Sequence, residues 1–125
     1  MDFGMKVLVV DDFATMRRIV RNILKQLGFT NIVEADDGAT ALEIMKSDKI
    51  DLVLCDWNMP KVSGLDLLKQ MKADNDLKNI PFLMITAEAQ RQNIIEAVKT
   101  GVSNYIVKPF TADTIAEKLK KIFGE

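Results

Sequence analysis

The sequence predicts an α/β fold in which a parallel sheet of five strands lies between two layers of helices. Short apolar runs of four or five residues alternate five times with longer segments whose apolar residues recur every three or four positions. This alternation is typical of repeated βα units. The chain has 125 residues, of which 48% are hydrophobic and 28% charged, as in one ordinary globular domain.

The strands and helices can be placed along the chain from these patterns. We predict strands at Lys6–Val10, Asn31–Ala35, Leu52–Asp56, Phe82–Thr86 and Asn104–Val107. We predict helices at approximately Ala14–Leu27, Ala39–Ser47, Gly64–Ala73, Arg91–Thr100 and Ala112–Phe123.

The first predicted helix is amphipathic. Its apolar residues form one stripe at spacings of three and four: Met16, Ile19, Val20, Ile23, Leu24 and Leu27. Gly28, directly after it, is a typical C-terminal stop, and Thr111 or Pro109 marks the start of the last helix. The first, third and fourth strands are nearly uniformly apolar, which predicts that helices cover both of their faces.

The order of the strands determines where a ligand would bind. Right-handed βα crossovers make the strands parallel, and the simplest doubly wound arrangement of five units has strand order 2-1-3-4-5, a flavodoxin-like sandwich. In this order the chain reverses direction between strands one and three, and ligands bind at the carboxyl ends of the strands beside that point. Asp11 and Asp12 follow the first strand, and Asp56 ends the third. The sequence therefore predicts that these three acids converge.

The composition argues against several classes of function. A formal net charge of −1, without a basic block, gives no reason to expect binding to nucleic acid or an anionic membrane. The chain has no histidine, and its single cysteine, Cys55, is expected to be a buried hydrophobe. Ser-His or Cys-His catalysis and typical zinc sites are therefore excluded. Because neither a signal-peptide pattern nor a membrane-spanning apolar stretch is present, we expect a cytoplasmic protein. We also expect it to be a monomer.

Three acids at one sheet edge suggest a site for a hard metal ion. Mg²⁺ prefers oxygen ligands and usually takes one or two carboxylates together with a substrate phosphate. Asp12 and Asp56 can supply the carboxylates, Asp11 can hold a metal-bound water, and the carbonyl of Asn58 is a further ligand candidate. For any one of these aspartates alone, a helix N-cap or a turn residue is the ordinary alternative.

Asp56 is the best candidate nucleophile, because a carboxylate can form a covalent acyl-phosphate. Lys108 directly follows the fifth strand and is suited to pair with phosphoryl oxygens, and a cis bond to Pro109 would aim its ammonium inward. The hydroxyl of Thr86 is a further candidate partner for a phosphoryl oxygen. Each of these residues has an ordinary alternative: a solvated surface lysine for Lys108, and a β-branched strand end for Thr86. Tyr105 is either a ring that swings between core and solvent or a half-buried edge tyrosine.

Together these motifs resemble bacterial response-regulator receiver domains, particularly those of chemotaxis. The resemblance covers essentially the whole chain. It rests on Val9–Asp12, Asp56–Pro60, Ile85–Glu88 and Tyr105–Phe110, and it extends through Asp12–Asn22 and Lys118–Phe123.

The resemblance implies a role for each matching residue. Asp56 accepts a phosphoryl group from a phosphohistidine of a chemotaxis sensor histidine kinase, while Asp11, Asp12, Asp56 and the Asn58 carbonyl surround Mg²⁺. Lys108 pairs with the phosphoryl group, Thr86 moves to bond it, and Tyr105 turns inward. The changed face binds the flagellar motor switch, and a dedicated phosphatase is a further possible partner. Asn58 and Glu88 tune the lifetime of the acyl-phosphate, and the partner surface comprises Arg91, Ile94, Tyr105, Val107 and Lys118.

The resemblance implies a single receiver domain that spans residues 1–125 and has no output domain. Such a protein is a signalling module and not an enzyme. A phosphorelay shuttle or a phosphate sink is the alternative within this class. A Mg²⁺-dependent phosphatase would share the nucleophile, but such enzymes usually carry a second acid where this chain has Asn58, and a cap insertion. A flavin or nucleotide carrier would need a phosphate-binding loop where this chain has Asp11 and Asp12.

Overall fold

The computed structural model describes residues 1–87 and 91–125. Strands and helices alternate throughout these ranges. The strands are β1 Lys6–Val10, β2 Asn31–Ala35, β3 Leu52–Asp56, β4 Phe82–Thr86 and β5 Asn104–Val107. The helices are α1 Ala14–Leu27, α2 Gly38–Ser47, α3 Gly64–Lys72, α4 Arg91–Thr100 and α5 Ala112–Ile122.

The five strands form one parallel sheet in the order β2-β1-β3-β4-β5, which confirms the predicted topology. The reversal of direction falls between β1 and β3, where Val10 is paired with Cys55. On the other side of β3, Asp56 is paired with Ile85 of β4. The carboxyl ends of β1, β3 and β4 therefore meet at one edge of the sheet.

Two hydrophobic cores lie on opposite faces of the sheet, because successive strand residues point to opposite sides. On one face, Leu8, Val53 and Met84 belong to a cluster with residues of α2, α3 and α4. On the other face, Val9 and Leu54 belong to a cluster with residues of α1 and α5. All residues of β3 and β4 are buried, as predicted for strands covered on both faces.

Three helix boundaries differ from the sequence prediction by one residue, within the usual spread for helix ends. Helix α2 begins at Gly38 because the side chain of Asp37 caps it, accepting a hydrogen bond from the Thr40 N–H. Helix α3 ends at Lys72 and α5 at Ile122. The predicted stop after α1 is confirmed, since Gly28 adopts a φ of 117° and its N–H bonds to carbonyls of the last turn.

A glycine controls the loop that follows Asp56. The Gly64 N–H donates to the Trp57 carbonyl over 2.9 Å. A Cβ atom at position 64 would lie 2.5 Å from the Asp56 carbonyl oxygen and 3.0 Å from the Trp57 Cα. Since both neighbours are backbone, only glycine allows α3 to begin this close to the end of β3.

None of the helices described is both long and apolar enough to cross a membrane.

Candidate metal and phosphoryl site

The structure brings the three predicted acids together. Asp11 and Asp12 follow β1, Asp56 ends β3, and the two strands are adjacent. One carboxylate oxygen from each residue lies within 4.8 Å of the others. Three carboxylates this close repel one another strongly unless positive charge is placed among them.

The acids differ in exposure and in how their oxygens are bonded. Asp11 and Asp56 are buried, with 3% and 4% of their surface exposed, whereas Asp12 is exposed. Asp11 Oδ1 accepts a hydrogen bond from the Phe13 N–H over 2.9 Å. The N-cap of α1 is Phe13, so neither Asp11 nor Asp12 caps this helix. Asp11 nevertheless uses one oxygen in a turn and keeps the other for the site.

Burial changes the acid-base behaviour of this region. It raises the pKa of Asp11 to about 6 from an ordinary value of 3.8, and the negative charges of Asp56 and Asp12 add to this increase. The Phe13 N–H and the Lys108 ammonium act in the opposite direction. Burial also raises the pKa of the Cys55 thiol, so this cysteine stays protonated, in agreement with the prediction of a buried hydrophobe.

Lys108 faces the acids from the end of β5. Its Nζ lies 2.7 Å from Asp56 Oδ1, which is a close ion pair. The Lys108 N–H donates to the Thr86 carbonyl over 2.9 Å, which ties this loop to β4. The Lys108–Pro109 peptide bond is cis, as predicted. One ammonium offsets part of the charge of three carboxylates and leaves an excess that favours a divalent cation.

Unpaired buried oxygens provide an independent test of whether a cation and a phosphoryl group fit here. Within residues 1–87 and 91–125, two buried side-chain oxygens have no polar partner, Asp11 Oδ2 and Thr86 Oγ1, and a third, Asp56 Oδ1, has only the Lys108 ammonium. Buried polar atoms are nearly always hydrogen-bonded in native proteins. All three belong to residues at the carboxyl ends of β1, β3 and β4, where a metal ion and a phosphoryl group would satisfy them. The donor set of carboxylate oxygens also matches the preference of Mg²⁺.

The remaining predicted residues lie around this centre. Tyr105 is half-buried in β5, packs against the core beneath α2, α3 and α4, and has the Lys118 Nζ 5.1 Å from its ring centroid. Trp57 also packs against that core, and Asn58 is exposed in the loop after β3. Glu88 lies outside the described residues.

The residues of the predicted partner surface lie on the last three elements of the chain. Arg91 and Ile94 lie on α4, Tyr105 and Val107 on β5, and Lys118 on α5. Arg91 is exposed, and the others are partly exposed.

Sequence reasoning missed one contact in the site. Arg17 was assigned no role from the sequence, but its Nη1 donates to the Asp11 carbonyl over 2.8 Å, and its Nε pairs with Glu34 of β2. The sequence did contain one signal for this contact: a basic residue lies in the first turn of the helix that follows the two acids. Basic residues recur along the same face, so the pattern did not distinguish Arg17 from its neighbours.

The fold and these residues define a class of protein. Residues 7–120 match the family model of the response regulator receiver domain. The chain belongs to this family.

Individual members of the family are similar over nearly the whole chain. The sequence is 62% identical over 120 residues to chemotaxis protein CheY-3 of Vibrio cholerae, an alignment that covers 96% of this chain and 92% of that protein. It is 57% identical over 119 residues to chemotaxis protein CheY of Pseudomonas aeruginosa, covering 95% of this chain and 96% of the relative.

Solved structures agree with the fold. Chemotaxis response regulator CheY4 of Vibrio cholerae superposes with a TM-score of 0.86 at 30% identity, covering 95% of this chain and 98% of that one. A response regulator receiver domain protein from Clostridium thermocellum gives a TM-score of 0.86 at 28% identity, covering 96% and 94% of the two chains.

The raised pKa of Asp11 predicts a specific dependence of stability on pH in metal-free protein. Well below pH 3.8 the carboxyl is protonated in both folded and unfolded chains. Between pH 4 and about 6 the unfolded chain ionises it more easily, so stability is lost as pH rises. Asp11→Asn removes this titration. The free energy of unfolding of the variant, relative to that of the wild type, should therefore be about 2 kcal/mol higher at pH 7 than at pH 4. Urea unfolding in EDTA across this pH range measures the difference, and parallel stability curves would contradict the assignment.

Proposed function

We propose that Asp56 is the phosphoacceptor of a Mg²⁺-dependent response regulator. The observation that carries this proposal is a group of three buried oxygens at one sheet edge. Asp11 Oδ2 and Thr86 Oγ1 have no polar partner, and Asp56 Oδ1 has only the Lys108 ammonium, 2.7 Å away. A site built for stability alone would pair these atoms. A site that receives a charged ligand keeps them available.

The proposed reaction is phosphoryl transfer from a phosphohistidine of a sensor kinase. An Asp56 carboxylate oxygen attacks phosphorus, the P–N bond of the donor breaks, and its electron pair stays on the imidazole nitrogen. The product is an acyl-phosphate on Asp56. Mg²⁺, when bound by Asp11, Asp12, Asp56 and the Asn58 carbonyl, would neutralise charge on the phosphoryl oxygens. Such transfer depends mainly on positioning and charge stabilisation, which a preformed cluster of charges supports.

Phosphorylation would rearrange the contacts of Lys108 and Thr86. The new group adds a charge of roughly −1.5 to −2 and three acceptor oxygens. Lys108 would exchange its ion pair with Asp56 for one with the phosphoryl group, and the unpaired Thr86 hydroxyl would donate to a phosphoryl oxygen. Thr86 is paired with Val107 in the sheet, and Met84 with Tyr105, so a shift at the end of β4 acts directly on β5. Tyr105 and the surface of α4, β5 and α5 would then change together.

The biological output that we propose is control of chemotaxis through protein binding. Identity of 62% and 57% to two chemotaxis proteins over nearly the whole chain supports this choice. In this proposal a chemotaxis sensor histidine kinase is the donor, and the flagellar motor switch binds the surface of Arg91, Ile94, Tyr105, Val107 and Lys118.

In the same proposal, residues 1–125 act as a single receiver domain and a cytoplasmic monomer. The domain promotes its own phosphorylation and dephosphorylation without turning over a separate substrate. Asn58 and Glu88, with or without a dedicated phosphatase, set the lifetime of the signal.

A phosphate-incorporation assay tests the assignment of Asp56. With a small phosphodonor and Mg²⁺, the wild type should gain one phosphoryl group, and Asp56→Asn should gain none because an amide does not form the acyl-phosphate. Asp76→Asn removes an exposed aspartate between α3 and β4 and should behave as the wild type. Intact-protein mass spectrometry gives the readout. Undiminished incorporation in Asp56→Asn would place the acceptor elsewhere.

A binding assay tests the proposed output. Beryllofluoride with Mg²⁺ mimics the acyl-phosphate, and it should tighten binding to a motor-switch peptide by about tenfold, since charge-assisted bonds at Lys108 and Thr86 favour one conformation. Fluorescence anisotropy of a labelled peptide measures the affinity, with Asp56→Asn as the unresponsive control. Equal affinity with and without beryllofluoride would argue for the phosphorelay shuttle or the phosphate sink instead of motor control.

A further inference from the structure

A guanidinium group holds the backbone between the two acids that follow β1. The Nη1 atom of Arg17 donates to the Asp11 carbonyl oxygen over 2.8 Å. Arg17 lies in the first turn of α1, and its N–H donates to the Phe13 carbonyl over 3.0 Å. Side chains on a helix lean toward its N-terminus, so this position can reach back over the loop before the helix.

The bonded carbonyl belongs to the peptide that joins Asp11 to Asp12. Because a peptide unit is planar, fixing its oxygen fixes the orientation of the whole unit and the direction in which the Asp12 Cα follows. The Asp11 N–H is also held, through a bond to the Ala35 carbonyl of 3.2 Å. The Arg17 bond therefore fixes the peptide unit from which the exposed Asp12 follows.

Glu34 on β2 holds the guanidinium from its other side. Glu34 Oε1 lies 3.3 Å from Arg17 Nε, and Glu34 Oε2 lies 3.3 Å from an Nη atom of Arg21, one helical turn further on. The Arg17 side chain is only 18% exposed. This arrangement connects β2, α1 and the β1–α1 loop, and it limits the positions that Arg17 can adopt.

We propose that Arg17, held by Glu34, is a positioning residue that orients Asp11 and Asp12 for a divalent cation. This inference rests on the proposed function, because it requires that the acids bind Mg²⁺. Arg17 does not itself contact the ion. It acts through the Asp11–Asp12 peptide, in the way that partners of metal ligands generally fix the geometry of those ligands.

The direction of the effect separates positioning from simple electrostatics. Removing a positive charge close to a cation site should tighten cation binding if charge alone matters, because repulsion is lost. Removing a positioning group should weaken binding although repulsion is relieved. A side chain that only stabilises the fold should leave the affinity of the folded protein unchanged.

Mg²⁺ titration of the purified protein provides the measurement. Trp57 is the only tryptophan in the chain and directly follows Asp56, so its fluorescence can report binding, and calorimetry provides an independent readout. We expect Arg17→Ala to raise the Mg²⁺ dissociation constant about tenfold. Arg17→Lys keeps the charge and one donor and should restore part of this loss. Circular dichroism and urea unfolding establish that each variant is folded before titration.

A matched control and a double mutant complete the test. Arg18→Ala removes the same charge from an exposed position on the same turn and should leave the affinity within about twofold of the wild type. Glu34→Gln should weaken Mg²⁺ binding when it is the only substitution. In the Arg17→Ala background it should cause little further loss of affinity, because Glu34 acts through Arg17. If Arg17→Ala binds Mg²⁺ as tightly as the wild type or more tightly, the positioning role is refuted. If the wild type itself takes up no Mg²⁺, it is the proposed function that fails.

Discussion

Repulsion among three carboxylates at the end of a parallel sheet is the constraint on which this structure depends. Asp11, Asp12 and Asp56 each place an oxygen within 4.8 Å of the others. The topology makes this unavoidable, because β1 and β3 are adjacent at the reversal of strand direction. Three contacts hold these acids in place. They are the close approach of α3 at Gly64, the ion pair of Lys108 with Asp56 and the Arg17 bond to the Asp11 carbonyl. They keep the acids together without neutralising them fully.

This arrangement has an energetic cost. Buried polar atoms without a partner are unfavourable by about 1–3 kcal/mol each, and two of them, Asp11 Oδ2 and Thr86 Oγ1, lie in this region. The raised pKa of Asp11 has the same physical origin. A ligand that satisfies these atoms is therefore favoured over water. In the proposed mechanism, phosphorylation changes which groups Lys108 and Thr86 contact, and the pairing of Thr86 with Val107 connects that change to the surface of β5.

Much of this could be predicted from the sequence, because the relevant signals are local. Apolar runs such as Leu52–Asp56 and glycine stops such as Gly28 gave every strand and most helix boundaries. Strand order followed from the βα alternation, and the convergence of Asp11, Asp12 and Asp56 followed from strand order. The Arg17–Glu34 contact was not predictable in the same way. It depends on the direction of side chains on two elements, α1 and β2, that are adjacent only in the folded chain. A helix face with several basic residues does not indicate which arginine reaches back to the loop before the helix. The N-cap of α1 was equally hidden, since Phe13 is not a residue that side-chain capping favours.

The dependence of folding stability on Mg²⁺ tests the central claim most directly. A cation that binds only the folded protein stabilises it by RT ln(1 + [Mg²⁺]/Kd), or about 1.4 kcal/mol at ten times Kd. Urea unfolding at neutral pH and constant ionic strength, with Mg²⁺ replaced by Na⁺ in the reference, isolates this effect from screening. The convergence of the three acids predicts a shift of this size for the wild type at millimolar Mg²⁺. Identical unfolding curves with and without Mg²⁺ would contradict it, because acids that gain nothing from a divalent cation do not form the site described here.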